Sequence, residues 1–321
     1  MKKKKYAGRD IVAVVPTYRR PYKLKDLLES LAVQTEALSR VIVVDGDDGE
    51  KSAHAVVEEF ATRLNVDYSL CLPPGQIQQR NFGLARLREN EGLVAFLDDD
   101  LVLEPDALEK MIALWNTVEP DTAGIGFNIV NMESPVYRFY YKFFKWLAPR
   151  PGSVSFSGVC TPWLNLSSDI RTQWLGGGYT IWRRGVLDEF CHEIVYTRWA
   201  VGEDLRFSYP IGKKYPLYAC AGARVRHEHI HDQVSPKRVH RYRGKKSVVA
   251  HFYFVSSHRE LSLCACLARV ACSSFFRLVL GLATRQRKAR AFALGQIGGL
   301  WMGLKYLAGK ADLRVELERE E

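Results

Sequence analysis

The stretch GLVAFLDDDLVLEPDALEKM, residues 92–111, decides how the rest of the chain is read. It opens on a short apolar run of strand length, GLVAFL (92–97), which leads directly into three aspartates; a helical pattern then starts at Pro105 and continues through Trp115. The same rhythm extends towards the N-terminus. IVAVV (11–15) precedes a segment, Pro21 to Gln34, with leucines at 24, 27, 28 and 31, which is helical spacing. VIVVD (41–45) precedes a helical segment from Ser52 to Leu64, and VDYSLCL (66–72) precedes one from Gln76 to Arg88 opened by Pro-Pro-Gly. Strands alternating with helices predict an α/β fold with a mostly parallel central sheet flanked by helices on right-handed crossovers. Ligands bind such sheets at the carboxyl ends of the strands. Thr17–Tyr18, Asp45 and Asp98–Asp99–Asp100 all follow strand ends, so three segments converge on one edge.

Composition narrows the classes further. The 321 residues are 47% hydrophobic and 26% charged, which excludes a disordered, collagen-like or coiled-coil chain and allows a sizeable core. The length fits one large α/β domain with an appendage. Seven cysteines (71, 160, 191, 220, 264, 266 and 272) are odd in number and hold no CxxC pair, so neither a disulfide framework nor a thiolate zinc site is indicated. MKKKKYAGRD at the N-terminus is basic, but no apolar signal-peptide core follows it. A reducing, cytoplasmic location is expected.

The net charge of +10 is unevenly spread. Residues 1–230 are balanced at 29 basic and 29 acidic; 231–310 hold 15 basic against 2 acidic, and 311–321 hold 2 against 5. A basic region attracts nucleic acid or an anionic membrane, and the accompanying apolar residues must decide which. LSLCACLARVACSSFFRLVLGLAT (261–284) carries only Arg269 and Arg277 as charges, and AFALGQIGGLWMGL (291–304) carries none. The second is too short to span a bilayer and the first is interrupted. On a helical wheel Ser262, Arg269, Ser273, Arg277 and Thr284 fall on one narrow arc, leaving a broad apolar arc suited to a membrane interface. A helix packed on its own domain with its arginines in water is the other reading. Peripheral contact with the anionic cytoplasmic face of a membrane is the expectation, with no nucleic-acid partner; VYRFYYKFFKWL (136–147), interleaving aromatics with cations, reads as an acceptor-binding or membrane-facing helix.

Three consecutive carboxylates repel one another unless a cation or solvent offsets the repulsion. A hard divalent metal does so, and Mg²⁺ is typically held by one or two carboxylates beside substrate phosphates.

Taken together, VVPTYRR (14–20), VIVVDGDDGE (41–50), GQIQQRNFG (75–83), FLDDDLVLEPDALEKM (96–111), GGGYTIWRR (176–184), GEDL (202–205) and ARVRH (223–227) resemble the family 2 glycosyltransferases of the GT-A fold, in order and in spacing. The resemblance covers residues 10 to about 230. It implies a catalytic domain over 1–235, with a nucleotide-sugar half (10–130) and an acceptor and catalytic-base half (131–235), followed by a basic amphipathic helical extension over 236–321. It also implies roles. Pro16, Thr17, Tyr18 and Asp45 stand where the family meets the nucleoside, Asp45 being able to accept from a pyrimidine N3–H; Arg80 stands near the nucleotide, and Gly177 and Gly178 beside the donor sugar. Asp98 and Asp100 match the ends of the family's DxD, with Asp99 as the spacer on the donor side. Asp100, Asp98 and His227 form the implied shell for Mn²⁺ or Mg²⁺, with His229 and His231 as competitors for the histidine position. Glu203–Asp204 matches the carboxylate pair that activates the acceptor, Asp204 being the expected base.

The implied activity is metal-dependent transfer of a single hexose, with inversion, from a nucleoside diphosphate sugar, a UDP-sugar first, onto a saccharide or lipid-linked acceptor in cell-surface glycan synthesis. RVHRY (238–242) departs from the motif of processive synthases, which argues against polymerisation but leaves Arg238 and Arg241 as candidates for the pyrophosphate. Trp174, Tyr179 and Trp182 are candidates for stacking on sugars, with core packing as the equal alternative. A sugar-nucleotide pyrophosphorylase would need a Gly-rich basic loop that VVPTYRRP lacks. A non-catalytic carbohydrate or nucleic-acid binding module would leave Asp100, Asp204 and His227 unexplained.

Overall fold

Every residue of Ile11–Thr17, Arg40–Asp45, Leu93–Leu97 and Gly124–Ile129 is buried. Uninterrupted apolar runs have no solvent face, so they belong in the middle of a sheet covered on both sides. The computed structural model describes residues 5–49, 53–132, 150–193, 201–228 and 236–319, and places these runs as β1 (Ile11–Thr17), β2 (Arg40–Asp45), β4 (Leu93–Leu97) and β6 (Gly124–Ile129). Among the described residues the sheet has nine strands, the others being β3 (Val66–Leu70), β5 (Leu101–Leu103), β7 (Ile170–Thr172), β8 (Tyr179–Arg183) and β9 (Leu217–His227). Its order is β3-β2-β1-β4-β8-β6-β9-β5, with β7 beside β9. The block β3-β2-β1-β4 is parallel, as the alternation requires. β8 enters antiparallel between β4 and β6, and β5 and β7 run antiparallel to β9.

The helices α1 (Pro21–Ala32), α2 (His54–Phe60) and α3 (Gln76–Leu84) fall within the segments whose periodicity predicts them, and α4 (Ala107–Thr117) starts two residues after the expected Pro105 and ends two residues past the expected Trp115. Leu24, Leu27, Leu28 and Leu31 of α1 are all buried, and Pro21 occupies its first turn, where a missing N–H costs nothing. α3 ends at Leu84, four residues short of its expected Arg88. α5 (Arg184–Glu189) and α6 (Glu203–Lys214) follow β8.

Two registers position chemistry. Leu101 of β5 pairs with His227 of β9, which sets His227 beside Asp100. Leu97 of β4 pairs with Tyr179 of β8, and the Asp98 N–H donates to the carbonyl of Gly178 (2.8 Å).

The chain divides into two compact units. The first comprises residues 1–153, 161–194 and 207–229 and contains the sheet. The second comprises 154–160, 195–206 and 230–321, so two short stretches expected in the catalytic domain, one of them carrying Glu203 and Asp204, cluster with the C-terminal region. Its helices are α7 (Lys237–Ser256), α8 (Leu263–Ala283), α9 (Arg287–Leu307) and α10 (Leu313–Glu318). α7 and α9 approach almost to backbone contact. A Cβ at Gly295 would lie 1.9 Å from the Arg241 carbonyl oxygen, and one at Gly299 2.6 Å from Val248 Cβ, so glycine at every fourth position of α9 is what permits the packing. Ser262 caps α8, its hydroxyl accepting from the Ala265 N–H (3.2 Å).

Candidate active site

The three aspartates after β4 point to different partners. Asp98 accepts from Arg80 Nη2 (2.8 Å) and Gln76 Nε2 (3.1 Å), both supplied by α3. Asp99 is fully buried; it accepts from the Thr17 hydroxyl (2.8 Å) and pairs with Arg20 Nη2 (2.6 Å). Burial pushes the Asp99 carboxyl up to about 7, although Arg20 and Thr17 pull the other way. Asp100 accepts from Arg20 Nη1 (3.2 Å), and its Oδ1 lies 2.9 Å from His227 Nε2. Each carboxylate of the run therefore has a cationic or hydrogen-bonding neighbour within the protein, and the repulsion argued from sequence is offset before any metal binds.

Asp98, Asp100 and His227 nevertheless each offer a ligand atom, and these atoms all lie within 4.8 Å of one another. Two carboxylate oxygens and one imidazole nitrogen at that spacing are a donor set that Mn²⁺ or Mg²⁺ accepts. Gly178 makes the arrangement possible, since a Cβ there would sit 1.9 Å from Asp98 Oδ2. Its expected place beside the donor sugar thus has a nearer physical reason. The neighbouring Gly177 is buried as well.

The nucleoside candidates collect at the ends of β1 and β2. Thr17 is buried against Asp99, Tyr18 is exposed, and Pro16 pairs in register with Val44. Asp45 is fully buried, and its carboxylate accepts from the N–H groups of Asp47 (3.0 Å) and Ala53 (2.6 Å) and from the Tyr68 hydroxyl (3.1 Å). The structure thus gives Asp45 the work of tying down the segment after β2. Arg80, expected near the nucleotide, is also fully buried, and holds Asp98.

Glu203 and Asp204 open α6, Glu203 buried and Asp204 half-buried, and both belong to the second unit. Arg241 belongs there too, on the wall of a groove with Arg238 and Lys245. Trp174 and Trp182 resolve as core. Trp174 packs edge-on against Trp163 (5.0 Å) and donates to the Thr161 carbonyl (3.3 Å), while Trp182 packs edge-on against Phe207 (5.1 Å). The segment 136–147, His229 and His231 lie outside the described residues.

Sequence reasoning missed four side chains. Arg20 clamps two carboxylates at once. Gln76 supports Asp98, and Gln79 donates to the carbonyls of Thr17 and Val44 (2.7 Å each), stitching β1 to β2. YRR and GQIQQRN contain these residues, but only the fold says which way each points. The fourth is His192, buried and stacked face to face on Phe207 with ring centroids 3.7 Å apart and edge-on to Phe96 at 5.5 Å. Burial, with the charge of Arg80 adding to it, lowers its pKa to about 3, so its ring is neutral at any working pH.

Residues 12–178 match the model of glycosyl transferase family 2, just over half of the chain. The chain belongs to that family. No curated protein matches it in sequence. Among solved structures it is similar to GalNAc-T7 with UDP, GalNAc and Mn²⁺ (TM-score 0.57, 14% identity, 77% of this chain and 47% of that one). It is similar also to the mannosyltransferase PcManGT from Pyrobaculum calidifontis in complex with GDP-Man and Mn²⁺ (0.56, 16%, 95% and 89%). A third is S. aureus TarS (0.51, 16%, 96% and 50%), so the chain spans about half the length of the first and third of these structures. At such identities the likeness speaks for the fold. It is that of the GT-A glycosyltransferases, as the sequence motifs imply.

Proposed function

We propose that this family 2 glycosyltransferase moves one hexose from a nucleoside diphosphate sugar to a hydroxyl of a saccharide or lipid-linked acceptor, with inversion, in a metal-dependent reaction at the cytoplasmic face of a membrane. The observation that carries the reading is the convergence of Asp98, Asp100 and His227 at the carboxyl edge of the sheet. A bound Mn²⁺ or Mg²⁺ would neutralise the diphosphate as it leaves. This chain's own residues supply the rest. Arg80 and Gln76 fix the direction of Asp98, and Arg20 fixes Asp100, so the ligand oxygens are aimed in advance. Pro16, Thr17 and Tyr18 border the nucleoside, and Asp45 orders the segment on which the base rests. Asp204 takes the proton of the acceptor hydroxyl as it attacks the anomeric carbon from the face opposite the leaving group, with Glu203 as the neighbouring alternative. One base suffices for that step, and a single displacement inverts the anomeric centre.

Support for the donor class comes from the relatives bound to UDP and to GDP-Man, both with Mn²⁺. The test is a hydrolysis and transfer screen across UDP-, GDP- and dTDP-sugars, with Mn²⁺, with Mg²⁺ and in EDTA. One nucleobase class, UDP first, is turned over with metal, turnover vanishes in EDTA, and Asp100→Asn abolishes it while the circular dichroism spectrum remains that of the folded protein. Full turnover in chelator, or in Asp100→Asn, would overturn the metal assignment.

A further inference from the structure

α8 does not bury its large apolar residues as a helix that covers a soluble core does. Its buried positions are Cys266, Val270, Ser274 and Gly281, small or polar for the most part. Its large apolar residues face outward: Phe275 is 70% exposed and Phe276 62%, with Val279, Leu280 and Leu282 exposed beside them. Arg277, from the polar arc, lays its guanidinium over Phe292 of α9 (4.9 Å). The large apolar residues thus lie away from the packed side, while Arg269, Arg277 and Thr284 of the polar arc stay exposed as well. α9 adds to the same surface, with Leu294, Ile297, Leu304 and, at 60%, Trp301 exposed. Exposed apolar area on this scale marks an interaction surface.

Along the seam where α7 and α9 pack runs an open groove of about 770 Å³. One wall is cationic, formed by Arg238, Arg241 and Lys245, which follow one another at helical spacing on α7; the other is apolar, formed by Leu294, Trp301 and Met302 of α9. Lys245 is paired with Glu316 (3.1 Å), whereas Arg241 has no ion pair among the described residues. Guanidinium groups suit phosphate oxygens, and a tryptophan with one polar edge suits the boundary between headgroups and acyl chains. A free nucleotide would find cations here and a face of Trp301 on which to stack its base, but it would leave uncovered the apolar surface that runs on through Leu294, Ile297 and Leu304 to Phe275 and Phe276. A phospholipid uses both. With 15 basic against 2 acidic residues over 231–310, the charge selects an anionic one.

We propose that the groove between α7 and α9 binds the phosphate of an anionic phospholipid headgroup through Arg238 and Arg241, while the outward residues of α8 and α9 enter the acyl boundary. The proposal rests on the reading that the enzyme works at a membrane surface, and it gives Arg238 and Arg241 a partner other than the donor pyrophosphate expected from sequence.

The test is flotation of the full chain with vesicles of phosphatidylcholine alone and of phosphatidylcholine mixed with phosphatidylglycerol. Three proteins are compared: wild type, Arg238→Gln/Arg241→Gln, and Arg285→Gln/Arg287→Gln. The last removes the same two charges near the turn between α8 and α9, and circular dichroism melts establish that all three are folded. Wild type floats with the anionic vesicles, and the groove variant loses at least about fivefold more partitioning than the turn variant, because general attraction to the surface is common to both pairs. Equal losses would overturn the phosphate site and leave the membrane reading standing. Failure of wild type to float with either vesicle would overturn the membrane reading and the site with it. Release of wild type by free UDP at constant ionic strength would assign the groove to the donor and overturn the lipid.

Discussion

Asp98, Asp99 and Asp100 are adjacent in sequence, yet their environments assign them three tasks: one held by α3, one buried as a brace for Thr17 and Arg20, one turned towards His227. The run itself was legible in the sequence, because three carboxylates after an apolar strand need an explanation. What compensates them was not, since Arg20 and Arg80 reach the site from separate elements and no local pattern encodes that meeting. Gly178 shows the same limit; its reason for lacking a side chain is a carboxylate 80 residues away in the chain. Gly178→Ala is therefore expected to displace Asp98 and to weaken Mn²⁺ binding by about ten- to a hundredfold, the usual cost of disturbing the support of a metal ligand, with the melting temperature little changed. Titration calorimetry with Mn²⁺ checks it, and wild-type affinity would remove Asp98 from the ligand set. Asp204→Asn is expected to leave nucleotide binding intact and to slow turnover at least about a hundredfold, the scale of a lost general base. Near-normal turnover would move the role to Glu203.

Elements were the most legible level. The strands and helices of the N-terminal half follow from periodicity, since a strand buried on both faces and an amphipathic helix leave unlike patterns. Register was not legible, and it is the pairing of Leu101 with His227 and of Leu97 with Tyr179 that brings β9 and β8 to the aspartates. For α8 helical spacing defines two arcs without saying which one packs, because amphipathicity fixes the arcs and the surroundings choose their direction. His192 marks a packed layer that periodicity also missed, resting on Phe207 and Phe96 near the charge of Arg80. Its native pKa of about 3 lies below the ordinary 6.5, so between those values the unfolded chain binds a proton that the native chain does not. Stability from this group is therefore complete above about pH 6.5 and is lost as pH falls, by at most about 1.4 kcal/mol per pH unit. His251, lowered to about 4 by burial, contributes in the same direction from the second unit. His192→Phe, which keeps the stack and removes the titration, should melt with a shallower pH dependence between 7 and 5 than wild type. Parallel profiles in differential scanning fluorimetry would contradict the assignment.

At the scale of the whole molecule the chain divides its chemistry between two units: the aspartates and His227 on the sheet-bearing one, and Asp204, Arg241 and the outward-facing helices on the other. The charge count separates them as well, since 1–230 is neutral and 231–310 carries +13. A sheet-bearing unit without net charge has no general electrostatic attraction to a lipid surface, whereas the second unit holds both an electrostatic and an apolar reason to be there. The two reasons respond differently to salt. Each basic residue near an anionic surface contributes about 1 kcal/mol, and that attraction is screened as the Debye length shrinks from about 8 Å at 0.15 M to about 3 Å at 1 M. Burial of Phe275, Phe276 and Trp301 in the acyl boundary is not screened. Flotation of the full chain with anionic vesicles should therefore fall on raising the salt to 1 M without disappearing, and the remainder should be released by mild detergent or by Phe275→Ser/Phe276→Ser. A protein held only by charge would be released completely at high salt, and one crossing the bilayer would ignore salt altogether; either result would overturn the peripheral arrangement.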